Sequence, residues 1–300
     1  MSNKITMCPI CKSSRSWVIR FNKSGINLLE DKFKNYSWRL CKKCGNAYPA
    51  PAPEINDLQK YWIQNRIETS GGLITEEVWN KRQSQDLMWA ERTFKFVKPF
   101  VTNKNKEYLD IACGLGANVK FFSDNGWIAE GIDADPNTKK FHDILGINST
   151  IGQIEQIETK KLYDLISISH AIYFITEPGR FIQEVKNMLA MQGLFLVVLS
   201  DFFSNLSDGQ PGFAHTWYPT PFSMEYALEQ EGFLIISRKK IRGSVLILAR
   251  KDNGKEVSTK RINTLLCYFL HLTQSIRYKL IGRPILWTVR HIKYIVKAIS

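Results

Sequence analysis

Three groups of residues in this 300-residue chain have types and spacings that could do chemistry. The first is a set of four cysteines in two pairs, Cys8-Pro-Ile-Cys11 and Cys41-Lys-Lys-Cys44. Each Cys-x-x-Cys turn points two thiolates at one tetrahedral ion, and two turns close the shell. Without a secretion signal, such pairs favour a metal over disulfides. Redox thiols are the other reading. Four thiolates leave no open position, so zinc held by Cys8, Cys11, Cys41 and Cys44 would be structural. The second group is Tyr108-Leu-Asp-Ile-Ala-Cys-Gly-Leu-Gly-Ala-Asn118, between a predicted strand and a predicted helix. Open α/β sheets bind ligands at that position. Gly114 and Gly116 allow a tight turn and a close backbone approach, and the helix that follows presents unpaired N–H groups. A phosphate-binding P-loop is ruled out by the missing Gly-Lys-Ser/Thr ending, and the full Gly-x-Gly-x-x-Gly spacing is absent. The third group is His170 and His215, two imidazoles suited to taking a proton near neutral pH. A histidine that faces the core, packs on a cofactor or tethers a loop reads the same way in sequence. Tyr173 and Tyr218 are weaker candidates, and Cys113 reads as a small loop residue rather than a nucleophile.

The elements that must position these groups alternate between strand and helix from residue 107 onward. Strands are predicted over 108–112, 127–133, 162–169, 194–199, 233–239 and 244–249. Helices are predicted over 118–125, 138–145, 180–191 and 223–230, several ended by glycine. Such alternation implies a mostly parallel sheet with helices on both faces. The last two strands, joined by a tight turn at Arg242-Gly243, imply one antiparallel strand at the far end. Ahead of this unit, Pro49-Ala-Pro-Ala-Pro53 reads as a stiff connector. Helices are expected over 54–65 and 75–98, separated by Gly71-Gly72. Two more are expected over 262–299, broken around Gly282–Pro284. The resulting division is a zinc-ribbon-like module at 1–53, a helical linker or cap at 54–100, an α/β domain at 101–252 and a basic amphipathic tail at 253–300. The 29-residue gap between Cys11 and Cys41 should form a small sheet.

The formal net charge of +13 sits at the two ends. Residues 1–50 hold ten Lys/Arg against Glu30 and Asp31, and residues 251–300 hold ten against Asp252 and Glu256. The middle of the chain is slightly acidic, which argues against a nucleic-acid cleft without excluding basic ends as grips. The tail carries apolar stripes, Ile262-Leu265-Leu266-Phe269-Leu272 and Ile285-Leu286-Val289-Ile292-Val296-Ile299, beside Arg290, Lys293 and Lys297. Such helices can dock on an anionic membrane, pack on the domain or pair a dimer. No apolar h-region lies in the first 20 residues, and no apolar run reaches the ~18 residues of a membrane span. A cytoplasmic protein is expected, with at most peripheral contact on the inner membrane face.

Leu109-Asp-Ile-Ala-Cys-Gly-Leu-Gly116 resembles the first motif of class I S-adenosylmethionine-dependent methyltransferases, with Ala112 in place of the usual glycine. The resemblance implies a Rossmann-like, mostly parallel seven-stranded sheet with helices on both faces. It also implies that Asp110 and the loop backbone at Ala112, Gly114 and Gly116 hold the amino-acid end of the cofactor. Ala129-Glu-Gly-Ile-Asp133 resembles the second motif, and its terminal Asp133 would accept the ribose hydroxyls, as an acid does in dinucleotide folds. Asp135 instead reads as the start of the helix after Pro136. Gly152-Gln-Ile-Glu155 resembles the adenine-side loop, which makes Gln153 and Ile154 adenine neighbours. The Cys-x-x-Cys-Gly knuckle, the Pro-x-Pro linker, Tyr61-Trp62 and the segment His215-Thr-Trp-Tyr218 resemble one bacterial branch of sugar and surface-polysaccharide methyltransferases. That branch commonly has His-x-x-Glu-His where this chain has His170-Ala-Ile-Tyr-Phe174, so a base role carried over from the second histidine fails here.

The implied activity is methyl transfer to a small-molecule or glycan acceptor, most naturally a sugar or sugar-linked hydroxyl or carbon, with His170 or His215 as base. An RNA methyltransferase that grips through its zinc module and basic ends is a second reading. A catalytically inactive scaffold on the same fold is a third.

Overall fold

The computed structural model describes residues 6–19, 37–54, 76–152, 161–204, 215–252 and 262–288. The expected helix at 54–65, Gly71-Gly72, Tyr61-Trp62, Gln153, Ile154 and the stripe from Val289 onward lie outside the described residues.

Near the N-terminus, β1 (Ser16–Ile19), β2 (Ser37–Cys41) and β3 (Ala47–Ala50) form an antiparallel sheet in that order. The long helix α1 (Glu76–Val97) follows. The main sheet then runs through β4 (Glu107–Ile111), α2 (Ala117–Asp124), β5 (Ile128–Asp133), α3 (Lys139–Leu145), β6 (Asn148–Ile151) and β7 (Tyr163–Ser169). It finishes with α4 (Pro178–Met188), β8 (Leu189–Ser200), α5 (Pro221–Gln230), β9 (Phe233–Ile241) and β10 (Ser244–Lys251). Helix α6 (Thr264–Arg277) closes onto the ribbon.

The seven strands lie in the order β6-β5-β4-β7-β8-β10-β9. Pairs are parallel from β6 through β8, while β10 is antiparallel to both neighbours. This is the mostly parallel seven-stranded sheet that the resemblance implied. The antiparallel strand is inserted one place in from the edge. The central strand β7 is buried along nearly its whole length and β8 from Gly193 to Leu199, as a sheet covered on both faces requires. Phe181, Val185, Phe195, Val197 and Trp217 belong to the larger core, and Tyr108, Phe122, Trp127 and Leu196 to the opposite one.

Three local expectations are corrected. Strand β6 was not foreseen, because Asn-Ser-Thr-Ile is short and polar and sits at the sheet edge. The helix expected to run to Met191 ends at Met188, and β8 begins at once. Gly193 therefore marks a strand irregularity rather than a helix end. A Cβ there would stand 2.9 Å from the Ala190 carbonyl and 3.0 Å from that of Tyr163, so the β7–β8 pairing shifts register where only glycine fits. Finally, the C-terminal helices are not broken at Gly282–Pro284. Tyr278–Gly282 form a π-helical turn and residues 283–288 continue as helix. The wider turn absorbs the hydrogen bond that Pro284 cannot make.

Candidate active site

Strands β4 and β5 end side by side, and the loop from Ala112 to Gly116 springs from the first of them. Ala112 takes φ +55°, a left-handed conformation that costs a non-glycine residue about 1–2 kcal/mol. Gly114 is also left-handed, and a Cβ added there meets nothing within 4 Å. Its Cα thus faces an open cradle. Gly116 turns the chain into α2, and a Cβ there would stand 2.2 Å from Ile147 Cδ1.

Each loop atom is tied down. The Gly114 N–H donates to Asp133 Oδ2 at 2.8 Å, and the Asp135 N–H donates to Asp133 Oδ1, also at 2.8 Å. Asp133 is buried at the end of β5 beside this loop, where a carboxylate can accept from hydroxyls. Asp135 accepts from the Asn137 N–H and caps the short helical turn at Pro136. Below the loop, Asp110 accepts from Ser167 Oγ at 2.5 Å and from Asn118 Nδ2 at 3.1 Å, and the Tyr108 hydroxyl lies 2.7 Å from Ser167 Oγ. Burial pushes the Asp110 carboxyl up to about 6, against the opposing pull of these donors. On the far side, fully buried His142 donates from Nε2 to the Gly114 carbonyl at 2.7 Å. Leu115 packs with Trp79 of α1 and Phe141 of α3, whose rings stack at 4.5 Å.

Asn118, His142 and Trp79 had no place in the sequence reading of this site. Asn118 carried one signal, its position two residues beyond Gly116 in the first turn of the helix. Nothing local marked His142 or Trp79. The structure brings Asp110, Ala112, Gly114, Gly116 and Asp133 together. The arrangement fits S-adenosylmethionine: an open glycine cradle at Gly114, a carboxylate at the end of β5, and a second carboxylate beneath the loop.

The two histidines flank one tyrosine. His170 follows β7 with φ +54°, and its backbone N–H donates to the Val198 carbonyl at 2.8 Å. Such strain in a non-glycine residue concentrates at functional sites. His170 Nδ1 is 3.4 Å from the Tyr173 hydroxyl and 3.5 Å from Ser200 Oγ, and Nε2 is 3.4 Å from Ser244 Oγ. Surrounding protein lowers its pKa below the usual histidine value, although part of the residue is open to solvent. Tyr173 is buried, which raises its pKa, and its oxygen accepts from the Ser200 N–H at 2.5 Å. The Tyr173 oxygen thus lies between the Ser200 N–H and His170 Nδ1.

On the other side, the His215 ring lies 5.1 Å from the Tyr173 ring, 5.2 Å from Phe174 and 5.4 Å from Tyr218. Thr216 fixes this segment, its N–H donating to the Tyr173 carbonyl at 2.9 Å and its hydroxyl to that of Ile175 at 2.7 Å. The product is a half-buried imidazole walled by three aromatic rings beyond the ends of β7 and β8.

The four cysteine sulfurs all lie within 4.8 Å of one another, with 3.6 Å between Cys8 and Cys44 and 3.4 Å between Cys11 and Cys41. Tetrahedral zinc with bonds of about 2.3 Å sets its sulfurs about 3.8 Å apart, so this donor set fits one ion. The Lys43 N–H donates to Cys41 Sγ at 3.3 Å, which orients a thiolate.

The knuckle is joined to the main domain. Tyr218 donates its N–H to the Ala47 carbonyl, and Thr264 of α6 donates its hydroxyl to the Lys42 carbonyl at 3.1 Å. Gly45 takes φ +71°, and a Cβ there would press on Cys267 Sγ at 3.3 Å, so a side chain is disfavoured at this contact.

A family model described as a methyltransferase domain matches residues 80–238, just over half of the chain. No curated protein matches the chain. Among solved structures, the 1,6-didemethyltoxoflavin-N1-methyltransferase of Burkholderia thailandensis is similar with a TM-score of 0.52 and 13% identity, over 73% of this chain and 96% of that one. A S-adenosylmethionine-dependent methyltransferase from Clostridium acetobutylicum ATCC 824 gives a TM-score of 0.46 at 12% identity, over 66% of this chain and 100% of that one. At these identities the likeness speaks to the fold alone.

Proposed function

Because the chain belongs to the methyltransferase-domain family, and is thus a S-adenosylmethionine-dependent enzyme, we propose that its acceptor is a sugar or sugar-linked hydroxyl or carbon, carried on a small molecule or glycan. The observation that supports this reading is the half-buried His215 walled by Tyr173, Phe174 and Tyr218. Aromatic rings cover the apolar faces of a sugar ring, and an imidazole beside them can take a hydroxyl proton.

The cofactor supplies an electrophilic methyl group on a sulfonium, set up for in-line displacement. The chain's own groups do the rest. Asp133 accepts hydroxyls of the cofactor, Asp110 and Asn118 support the loop from below, and Gly114 leaves its cradle open. His215 takes the acceptor proton. Tyr173 and His170 act as positioning residues, because their hydrogen bonds to one another and to Ser200 set the ring that His215 packs against. A zinc ion held by Cys8, Cys11, Cys41 and Cys44 would brace the ribbon and take no part in the chemistry.

Radiolabelled methyl transfer to nucleotide sugars, isolated surface glycans and RNA is the test. Label should enter the sugars and fall about 100-fold or more in His215→Ala, with S-adenosylhomocysteine affinity kept. Label entering RNA instead would overturn the acceptor assignment.

A further inference from the structure

Helix α6 is packed with its polar side inward. Cys267, His271 and Gln274 are buried, while Leu265, Phe269, Leu272, Ile276 and Leu280 are each more than half exposed. These five follow one another at steps of four, three, four and four, which keeps them on one face. The inward side is accounted for. Tyr268 stacks on Trp17 at 5.0 Å, His271 packs on Phe202, and Arg277 donates to the Phe203 carbonyl at 3.3 Å. The apolar face is therefore fixed outward. Exposed Trp287 extends it beyond the π-helical turn.

Cations bracket this face at both ends. Exposed Lys279 and Arg283 lie at its C-terminal end, and beyond its N-terminal end the ribbon turn carries exposed Lys42, whose ammonium lies over the Trp17 ring, and exposed Lys43. Residues 262–288 contain no Asp or Glu. Glu225 and Glu229 line a cleft of about 220 Å³ with Asn263 and Leu266 at the start of the helix, and Glu225 is paired with Arg238 at 3.1 Å.

We propose that this face docks on an anionic lipid surface. An apolar strip flanked by lysine and arginine gains from both acyl burial and headgroup attraction. A second copy of the chain is the poorer occupant, because parallel pairing of the helix sets Lys279 and Arg283 against their own counterparts. Docking would also orient the molecule. Phe202 and Phe203, which α6 covers, belong to the turn after β8, and Phe202 packs on Tyr218 at 5.6 Å, so the aromatic cleft would open close to the bilayer.

Flotation of the full chain with phosphatidylcholine vesicles, with and without about one third phosphatidylglycerol, tests this. The wild type should float with the anionic vesicles only, and less at high salt. Phe269→Gln/Leu272→Gln/Ile276→Gln and Lys279→Glu/Arg283→Glu should each lower the bound fraction about tenfold, with unfolding curves like the wild type. A folded wild type that stays with the free protein overturns the proposal, as does equal flotation of the variants. A wild-type dimer that the triple variant converts to monomer would assign the face to a second copy instead. None of these readouts depends on methyl transfer or on which acceptor is used.

Discussion

Ala47 and Tyr218 exchange two backbone hydrogen bonds, Tyr218 N–H to the Ala47 carbonyl at 2.7 Å and Ala47 N–H to the Tyr218 carbonyl at 3.3 Å. The first residue lies three positions after Cys44, and the second walls the histidine cleft. The cysteine knuckle and the acceptor wall are thus parts of one backbone seam.

Loosening the knuckle should therefore act on the acceptor before the cofactor. Cys44→Ser, or chelation of bound metal, should raise the acceptor KM about tenfold while the Kd for S-adenosylhomocysteine stays within about a factor of two. Steady-state kinetics beside calorimetric titration separates the two. A parallel loss of cofactor affinity would show that the seam supports the whole domain.

Asp133 pins the loop by accepting from the Gly114 and Asp135 N–H groups. Asp133→Ala should weaken S-adenosylhomocysteine binding about 10- to 100-fold, the worth of one or two hydrogen bonds to a charged group. His142→Leu, which frees the Gly114 carbonyl, should weaken it by less. Calorimetric titration reads both.

Cofactor affinity should fall as the pH drops through about 6, where buried Asp110 takes up a proton and its negative charge is lost beneath a cationic ligand. Asp110→Asn should flatten that profile. Stability runs the other way. The folded carboxyl holds its proton more tightly than the unfolded one, so this stabilisation is full at acid pH and is lost as the pH rises through about 6. The cost at neutral pH is about 3 kcal/mol. Urea unfolding from pH 4 to 8 should show Asp110→Asn gaining on the wild type toward the alkaline end.

Ala112→Gly should relieve the left-handed strain at φ +55° and raise stability by about 0.5–1 kcal/mol, with cofactor affinity unchanged. A lower melting temperature would show that the alanine methyl is packed to advantage.

Much of the cofactor loop was legible because its chemistry is local. A strand end, two glycines and an acid at the next strand end sit within Tyr108–Asp133, and the structure sets them side by side. The apolar strands β7 and β8 were legible for the same reason. His142 and Trp79 were not, since each reaches the loop from an element whose docking no short pattern encodes. Helix α6 was legible as an apolar stripe, but membrane, domain and a second copy fitted that stripe equally. Its apolar stripe carries the usual mark of an inward face, yet Trp17, Phe202 and the knuckle hold the opposite face. The seam itself joins residues 171 positions apart through main-chain atoms, which side-chain identity does not report.

Gly45, left-handed at φ +71°, lies against Cys267 and Thr220, and a Cβ there would press on Cys267 Sγ at 3.3 Å. The ribbon is consequently not an interchangeable cartridge. A chimera that borrows a four-cysteine head from another protein would have to bring matching versions of 215–220 and 262–268 with it, so these three stretches should change together as one inherited block.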